Sequence, residues 1–298
     1  MPQPDGEAIR QDDPADRPYA FDYTTVGHVT VDVLDDGSRR PGGTAFYSAL
    51  QAARLGLRTL ILTRGVPAEI EALLAPHRDE LDVRVLPAAR TTMLRTWPDG
   101  PHRRQRLLAW AGPIGPVEVD TAILHIAPVA RETPRRFFDA HPPSAELVGL
   151  TPQGLVRDWS AAGEIALVPL PPQLLPERYD AIVLSATERE SCAELLASVP
   201  AAGAVVAVTA GAHPTELWLP SGELLHVPAR PIATPVDDLG AGDVFAAAFF
   251  IALREGQAPA RAAAYANAAA AVRVAGVGPD AIGDRAAIAS QLGNDGLG

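Results

Sequence analysis

The sequence contains no lysine, since all 25 of its basic residues are arginines. A Walker-A phosphate loop, a pyridoxal phosphate enzyme and a protein kinase each depend on a specific lysine, so these three classes are excluded. Cys192 is the only cysteine, which excludes an internal disulfide and a cysteine-based zinc site. The chemistry of this chain therefore has to come from other residue types.

An excess of positive charge and long hydrophobic runs are missing as well. The formal net charge of -11 argues against a nucleic-acid partner, whose phosphates require a basic surface. No apolar run approaches the roughly 18 residues of a membrane span. Residues 1–19 are polar and acidic without the apolar segment of a secretory signal, and we expect them to form a disordered tail. We therefore expect a cytoplasmic protein that binds neither nucleic acid nor a membrane.

Short β-branched or leucine-rich runs alternate with segments of helical period along the rest of the chain. The strand candidates are residues 24–34, 58–63, 81–87, 122–127, 146–151, 181–186 and 204–210. The helix candidates are residues 45–56, 67–77, 133–141 and 187–198. This alternation predicts one α/β domain over residues 20–292, a doubly wound, mostly parallel sheet flanked by helices. In such sheets, ligands bind at the carboxyl ends of the strands.

Two segments interrupt the alternation and have the pattern of β-hairpins. One covers about residues 90–112 and the other covers residues 215–229, each with a turn between two runs of strand pattern. The first is rich in Arg and Trp, which is the composition expected of a small β lid over a binding site. An ordinary hairpin at the edge of the sheet fits the first segment equally well.

A helix that is apolar on all sides begins after the sequence DDLGAGD, residues 237–243. Gly240 and Gly242 permit positive φ and close backbone approach, so this sequence predicts a tight turn. The helix has to be buried, and its first turn presents unpaired N–H groups and a positive dipole end to whatever lies in front. A phosphate could approach that turn, with Asp243 beside it as a base. Alternatively, Asp243 caps the helix, a role in which Asp is common.

The same stretch resembles the D-T-x-G-A-G-D signature of the ribokinase-like (PfkB) carbohydrate kinases. The sequence PGGTAFYSALQAARLG at 41–56 resembles the first signature of that family, a Gly-Gly pair followed by a helix. Three weaker similarities occur in the family's order, and they are VGHVTVD at 26–32, VTAGAHPTELWLPSG at 208–222 and AYANAAAAVRVAGVGPD at 264–280. The resemblance covers about residues 20–285 and implies a ribokinase-like fold.

The resemblance implies how the residues of the turn divide the chemistry. Asp243 would take the proton from the substrate hydroxyl that attacks the γ-phosphate of ATP. The backbone of Gly240, Ala241 and Gly242 would hold the transferring phosphoryl charge. The resemblance also implies ATP and Mg²⁺ as cofactors, and leaves open a monovalent cation such as K⁺ beside Asp237. Because this family binds phosphate without a Walker lysine, such a kinase is compatible with a lysine-free chain.

The substrate-binding residues that the resemblance implies lie in two parts of the chain. Asp32 would bind substrate hydroxyls, and Gly42 and Gly43 would let the ligand lie against the backbone. Gln153 and Arg157 belong to a segment similar to a Pro-Gln-Gly-x-x-Arg sequence, found in a subgroup for which inositol-like polyols are candidate substrates. Two alternatives remain open: Asp32 as a turn residue at a strand end, and Arg157 as a solvated residue on the surface.

The nucleotide pocket that the resemblance implies uses other positions. Thr209 and Gly211 fall where the family lines this pocket, and Asn267 falls near the adenine. A buried Asn whose hydrogen bonds are satisfied inside the chain is an equally good interpretation of Asn267.

Three positions depart from the family's pattern. The Asn-x-x-Glu segment, whose Glu orders the water shell of Mg²⁺, corresponds to Thr187 and Glu190, and Thr187 also fits a helix N-cap. The Thr of the turn signature is Asp238, which adds a carboxylate near the triphosphate and needs a cation to offset it. Tyr47 stands where sugar kinases of the family often have Asn, which changes hydroxyl recognition and disfavours ribose.

The leading interpretation is an Mg²⁺- and ATP-dependent kinase that phosphorylates a hydroxyl of a small polyol, sugar or nucleoside. The alternative is a non-catalytic nucleotide or sugar sensor on the same scaffold, which the three departures suggest. A dinucleotide-binding oxidoreductase would need a G-x-G-x-x-G turn after the first strand, and none is present. In the family, lids often pair to form a dimer, so the resemblance predicts a homodimer through the hairpin at 90–112. The second lid segment, at 33–40, is short, which predicts a small lid.

Overall fold

The computed structural model describes residues 18–99, 102–133, 145–232 and 234–293, and a nine-stranded sheet forms its centre. The strands of this sheet are β1 (Phe21–Val26), β4 (Thr59–Gly65), β5 (Asp82–Pro87), β8 (Thr121–Ile126), β9 (Leu147–Leu150), β12 (Ala181–Ser185), β13 (Val205–Ala210), β14 (His213–Trp218) and β15 (Leu224–Val227). Their order across the sheet is β15-β14-β13-β12-β9-β8-β1-β4-β5.

The seven strands from β13 to β5 run parallel, and β14 and β15 extend one edge in antiparallel pairing. Every residue of β8 and β9 is buried, because both faces of the sheet are covered. Near-continuous apolar strands are typical of sheets covered in this way. The mostly parallel α/β sheet predicted from the alternating pattern is confirmed.

Six α-helices lie within the described residues, and they are α1 (Thr44–Arg54), α2 (Pro67–Leu74), α3 (Ala193–Ala202), α4 (Ala241–Arg254), α5 (Pro259–Val274) and α6 (Arg285–Gly293). The apolar residues of α1, α4 and α5 form one core cluster, and those of α3 belong to a second cluster with β12 and β13. Nine consecutive residues of α4, from Val244 to Ala252, are buried. The expectation that this helix is enclosed on all sides is therefore confirmed.

The predicted strand at 24–34 is instead two strands in different sheets. The first strand, β1, ends at Val26, and the chain continues as β2 (Thr30–Val33) in a separate four-stranded sheet. A Cβ on Gly27 would overlap the carbonyl oxygen of Ala127, so the chain passes very close to the end of β8 before it leaves the main sheet. This local packing is invisible in the strand pattern of the sequence.

The second sheet, called the lid sheet below, combines both segments that the sequence suggested for a lid. Its strands are β3 (Arg39–Gly42), β2, β6 (Met93–Asp99) and β7 (His102–Ala109), in that order. The strand β2 pairs antiparallel with β3 and parallel with β6, while β6 and β7 form the predicted hairpin. The segment at 33–40 is thus the turn of a hairpin that belongs to the same sheet.

An additional short hairpin, formed by β10 (Arg157–Trp159) and β11 (Ile165–Leu167), was not predicted from the sequence. The backbone N–H of Leu107 donates to the carbonyl of Gly163 (2.8 Å), and Arg106 forms a bridge with Glu164. These contacts attach the outer strand of the lid sheet to the main body.

Several expectations fall on residues outside the described ranges. The predicted tail at 1–19 lies there except for its last two residues, and the helix candidate at 133–141 lies there except for Thr133. The helix predicted at 187–198 begins later, at Ala193, after a short 3-10 turn at Ala186–Glu188. Among the described residues, none of the helices combines the length and the hydropathy needed to span a bilayer.

Candidate active site

The backbone turn at the start of α4 contains two glycines, and the structural reason for a glycine differs between the two positions. Gly240 is the N-cap and has a φ of 79°, which residues with a side chain rarely adopt. A Cβ on Gly240 would also overlap the ring of Tyr47. Gly242, whose residue type also permits a positive φ, instead has an ordinary helical backbone, and the space next to it is open. The backbone conformation therefore requires glycine at position 240, whereas at position 242 the absence of a side chain leaves free space beside the helix.

The first turn of α4 keeps hydrogen-bond donors available. No side chain caps this helix, and the N–H of Ala241 donates to the carbonyl of Asp238 (3.2 Å). Within the part of the chain that the structure describes, the N–H groups of Gly242 and Asp243 have no acceptor. Together with the positive end of the helix dipole, these groups form a surface to which an anion can bind.

Asp243 lies in this same turn and does not cap the helix, so the capping alternative is wrong. The hydroxyl of Ser48 donates to its backbone carbonyl (2.9 Å), and the side chain of Thr44 hydrogen-bonds its carboxylate. The residue is half-buried. Burial raises the pKa of Asp243 to about 6, although Thr44 and Arg157 lower it.

Arg157 lies inside a group of carboxylates at the carboxyl ends of β9 and β12. Its side chain is buried, and it donates to the carbonyl oxygen of Val129 (2.9 Å). Burial lowers the pKa of Arg157, and the carboxylates that act against this effect are those of Glu188, Asp243, Glu132 and Asp32. The alternative that Arg157 is solvated on the surface is wrong. A buried guanidinium with several acidic neighbours can offer donors to an anion or a hydroxyl in the cleft.

Asp32 is on β2, at the place where the lid sheet meets the main sheet, and only 8% of it is exposed. It accepts a hydrogen bond from the hydroxyl of Thr30 (2.7 Å). Burial raises the pKa of Asp32, although Thr30 and Arg40 lower it. A Cβ on Gly42 would overlap the Asp32 carboxylate, so the glycine at 42 makes room for Asp32 itself.

Gly43, Gln153 and Tyr47 surround the start of α1. Gly43 has a φ of 90°, and its α-carbon lies against the carbonyl of His28. The hydroxyl of Thr44 has two acceptors for its single proton, Oε1 of Gln153 (3.3 Å) and the Asp243 carboxylate. Tyr47 lies under the turn at Gly240 with 1% exposure, and its hydroxyl has no hydrogen-bond partner among the described residues.

The acidic residue that reaches the cluster from β12 is Glu188, two residues before the one expected. Glu188 is buried, accepts a hydrogen bond from the N–H of Ser185 (2.8 Å) and acts on the pKa of Asp243. Burial raises the pKa of Glu188 itself.

Glu190 is exposed and lines a separate groove beside Trp218, away from the cluster. Thr187 is exposed and bonds the hydroxyl of Ser185 (2.7 Å). A capping box, Ser185 with Glu188, was the sequence signal for the correct position.

The residues expected to line a nucleotide pocket are on the β13–β15 side of the molecule. The hydroxyl of Thr209 donates to the carbonyl of Leu184 (3.4 Å), and Gly211 is exposed with a φ of 60°. Asn267 is buried; its Oδ1 accepts from Thr215 (2.9 Å) and its amide donates to the carbonyl of Pro228 (3.0 Å). Its amide group is therefore engaged within the chain.

Asp237, the position expected beside a monovalent cation, accepts hydrogen bonds from several donors. These donors are the N–H groups of Leu239 (3.0 Å) and Gly278 (3.0 Å) and the guanidinium groups of Arg273 (3.0 Å) and Arg40 (3.3 Å). Burial raises the pKa of Asp237, but these hydrogen bonds outweigh it and lower the pKa to about 2. Elsewhere, no group of three or more His, Cys, Asp or Glu side chains that could hold a metal ion occurs in the described residues.

Comparison with known families identifies one match within the chain. Residues 156–284 match the model described as the pfkB family of carbohydrate kinases. The match includes Arg157 and the turn at 237–243, while Asp32 and the Gly42-Gly43 pair lie outside it. No curated protein sequence is similar enough to match the chain.

The fold is similar to solved structures of the ribokinase family over most of its length. A pyrophosphate-dependent kinase of that family, solved with a pyrophosphate analog and myo-inositol, is 22% identical, with a TM-score of 0.68 over 86% of this chain and 96% of the other. The ribokinase of Arabidopsis thaliana, solved with ribose and ATP, is 20% identical, with a TM-score of 0.67 over 92% and 99%. The nucleoside kinase of Methanocaldococcus jannaschii is 18% identical, with a TM-score of 0.68 over 92% and 98%. These similarities confirm the ribokinase-like fold.

Proposed function

Because residues 156–284 match the pfkB family of carbohydrate kinases and the fold is ribokinase-like, we propose that the protein transfers a phosphoryl group to a hydroxyl of a small polyol, sugar or nucleoside. One arrangement carries this proposal. Asp243, with its pKa of about 6, lies in the same helical turn as the free N–H groups that can bind an anion. A base next to an anion site is what phosphoryl transfer to an alcohol requires.

In the proposed reaction, Asp243 acts as the general base. At neutral pH a carboxyl group with a pKa of about 6 is mostly ionised and can accept a proton. The substrate oxygen forms a bond to the transferred phosphorus while the bond from that phosphorus to the bridging oxygen of the donor breaks. The hydroxyl proton goes to Asp243, and the electron pair of the broken bond leaves with the remaining phosphate of the donor.

The turn from Gly240 to Gly242 would stabilise the charge that develops on the transferred group, through the free N–H groups of Gly242 and Asp243. The N–H groups of this turn are fixed by the helix and need no rearrangement as the charge moves. The open space beside Gly242 is on the helix side at which a phosphoryl oxygen would approach. Ser48 supports this position, because its hydrogen bond to the Asp243 carbonyl attaches the turn to α1.

The acceptor would bind between the lid sheet and the start of α1. The Asp32 carboxylate and the Gln153 amide can pair with neighbouring hydroxyl groups, which suits a polyol or a sugar. Arg157 would donate to the acceptor or to the transferred group. The proposed role of Tyr47 is different from hydroxyl recognition by the Asn of related kinases, because its ring supports the turn at Gly240.

Mg²⁺ would be held mainly by donor phosphates and water, as is usual for this ion, and would neutralise charge on the donor. The carboxylate best placed to order its water shell is Glu188, which replaces Glu190 in this role. Glu188 is supported in turn by Ser185, whose N–H fixes the orientation of the carboxylate.

ATP is the first candidate for the donor, with Thr209 and Gly211 beside it. A second candidate is pyrophosphate, because Asn267, the residue expected near the adenine, already bonds Thr215 and Pro228. One solved structure with a similar fold is that of a pyrophosphate-dependent kinase. Such a donor would need the anion site at α4 and no base recognition.

A panel assay tests this function directly. Polyols including myo-inositol, pentoses, hexoses and nucleosides are each incubated with Mg²⁺ and either ATP or pyrophosphate, and the phosphorylated product is identified by mass spectrometry. We expect transfer to at least one acceptor with one of the two donors. Tight binding of a donor and an acceptor by calorimetry, without any phosphorylated product, would instead identify the sensor alternative.

A further inference from the structure

Arg273 is a buried cation directly behind the turn that carries Asp243. It lies in the last turn of α5, and its side chain has no exposed surface. A long polar side chain in an alanine-rich helix is usually exposed, and arginine is rarely buried unless it is paired. The position of Arg273 therefore calls for a specific set of partners.

The partners of Arg273 are four oxygen atoms from two segments. Nη1 donates to the carbonyl oxygens of Asp237 (3.0 Å) and Gly276 (3.2 Å). Nη2 donates to Oδ2 of Asp237 (3.0 Å) and to the carbonyl oxygen of Leu239 (2.6 Å). Asp237 and Leu239 belong to the turn before α4, and Gly276 belongs to the loop after α5. The guanidinium thus joins the two segments.

These oxygens are of the kind that holds a monovalent metal ion. Carbonyl rings replace the hydration shell of K⁺, and a carboxylate adds the compensating negative charge. Here the same lone pairs accept from a guanidinium that is permanently charged. A second cation at this place would have to displace those hydrogen bonds and would be repelled by the buried positive charge. The residues around Asp237 therefore do not fit a bound K⁺.

The guanidinium also supports the turn through an aromatic ring. Arg273 lies over the ring of Tyr47, with 5.7 Å from its central carbon to the ring centroid. The same ring lies against Gly240, the N-cap of α4. Arg273, Tyr47 and Gly240 therefore form a continuous set of contacts that ends at the anion site.

We propose that Arg273 is the resident cation of this site, a positioning residue that holds the turn before α4 in place and makes the protein independent of monovalent cations. The inference rests on the proposed function only where activity is measured, since its structural part concerns stability in different salts.

The first test uses the unmodified protein. Its melting temperature is measured in KCl, NaCl and tetramethylammonium chloride at equal ionic strength, and the third cation is too large for a carbonyl cage. An ion that binds the folded state stabilises it increasingly as its concentration exceeds its dissociation constant, which raises the melting temperature. We expect the same melting temperature and the same turnover in all three salts. A rise in either quantity with KCl alone would overturn the proposal, and the melting curve gives this answer even if no substrate is phosphorylated.

The second test removes the guanidinium. Arg273→Met keeps the length of the side chain and loses its donors, with Arg261→Met, an exposed residue of the same helix, as the matched control. We expect kcat to fall by about 10²-fold, as for a misplacement of reacting groups of about 1 Å, with the KM of the acceptor nearly unchanged. Arg273→Lys should recover part of kcat, because an ammonium can reach some of the same carbonyls. If Arg273→Met folds and keeps the kcat of the control, Arg273 has no positioning role. If Arg273→Met does not fold, the kcat of Arg273→Lys and the salt comparison decide. A folded Arg273→Lys protein, with the melting temperature of the unmodified protein, that is inactive and does not gain activity in KCl would contradict the proposal.

Discussion

Gly240 packs directly against the ring of Tyr47, without room between them for a side chain. This contact fixes where α4 begins, because the positive φ of Gly240 turns the chain into the helix over the aromatic ring. The free N–H groups and the Asp243 carboxylate follow within one turn. The geometry of the candidate active site thus depends on the contact between Gly240 and Tyr47.

Substitutions at the two glycines of this turn should have different consequences. Gly240→Ala introduces both a strained φ and an overlap with Tyr47, so we expect a loss of stability of at least about 1–2 kcal/mol. Gly242→Ala lies in a helix with open space beside it, so stability should stay the same or rise by up to about 1 kcal/mol. Its kcat should fall, because the added methyl group is where a phosphoryl oxygen approaches. Thermal unfolding and kcat of both variants check this, and equal melting temperatures for the two would contradict it.

The pH dependence of kcat/KM should reveal the charges around Asp243. Because Asp243 has to be ionised to act as a base, activity should rise with pH through a pKa of about 6. Arg157 lowers this pKa and Glu188 raises it. Arg157→Gln should therefore move the rising limb to higher pH, and Glu188→Gln should move it to lower pH.

The matched control for these two variants is Arg189→Gln, which removes a partly exposed arginine next to Glu188 in sequence that pairs with Glu216. Its rising limb should stay where the unmodified protein has it. Shifts of the same sign for Arg157→Gln and Glu188→Gln would show that the limb belongs to a group other than Asp243.

Shortening the lid sheet should uncouple phosphoryl transfer from hydrolysis. Replacing residues 96–104 by a short Gly-Ser turn removes the outer part of β6 and β7 and leaves the β2–β3 hairpin in place. Water would then compete with the acceptor, so we expect a higher acceptor KM and more donor hydrolysis per transfer, measured by comparing phosphate release with product. An unchanged acceptor KM together with unchanged donor hydrolysis would show that this hairpin is an ordinary edge hairpin of the sheet and not a lid.

A homodimer through the lid stays a prediction that sedimentation velocity can check. Leu108 on β7 and Leu167 on β11 are both exposed, at 44% and 45%. Leu108→Asp should increase the monomer fraction if these surfaces meet in a dimer, because a carboxylate cannot be buried there without a partner. A monomeric unmodified protein at all concentrations would contradict the prediction.

The sequence predicted the sheet and the location of the base because these depend on repeating or local patterns. Strand and helix periods identified six of the seven parallel strands, apart from small shifts at their ends, and the glycine turn placed Asp243 at the start of a buried helix. The strand at 24–34 was divided by a contact between Gly27 and Ala127, which are 100 residues apart. Such a contact leaves no trace in a local pattern.

The residues that sequence reasoning missed are those whose role depends on burial. Arg273 is an arginine in an alanine-rich helix, and nothing in its neighbours shows that it donates to three oxygens of the distant turn before α4. Glu188 and Glu190 are both acidic residues of one short segment, and only the direction of the 3-10 turn decides which reaches Asp243. The short hairpin at β10 and β11 contains strands of three residues, too short to give a period.

Asp243→Asn tests the central claim most directly. Asparagine keeps the size of the side chain and removes the proton acceptor, so kcat should fall by about 10²–10⁴-fold while donor affinity, measured by calorimetry, changes little. Because burial raises the pKa of Asp243 in the folded state from its ordinary value of 3.8 to about 6, the fold loses stability as the pH rises from about 4 to about 6, and the full loss is present above that. The variant should therefore be more stable than the unmodified protein at pH 8, by up to about 3 kcal/mol for a shift of this size. A folded Asp243→Asn protein that turns over at the unmodified rate would contradict the assignment of Asp243 as the base, whereas a slow and stabilised variant is the result that we predict.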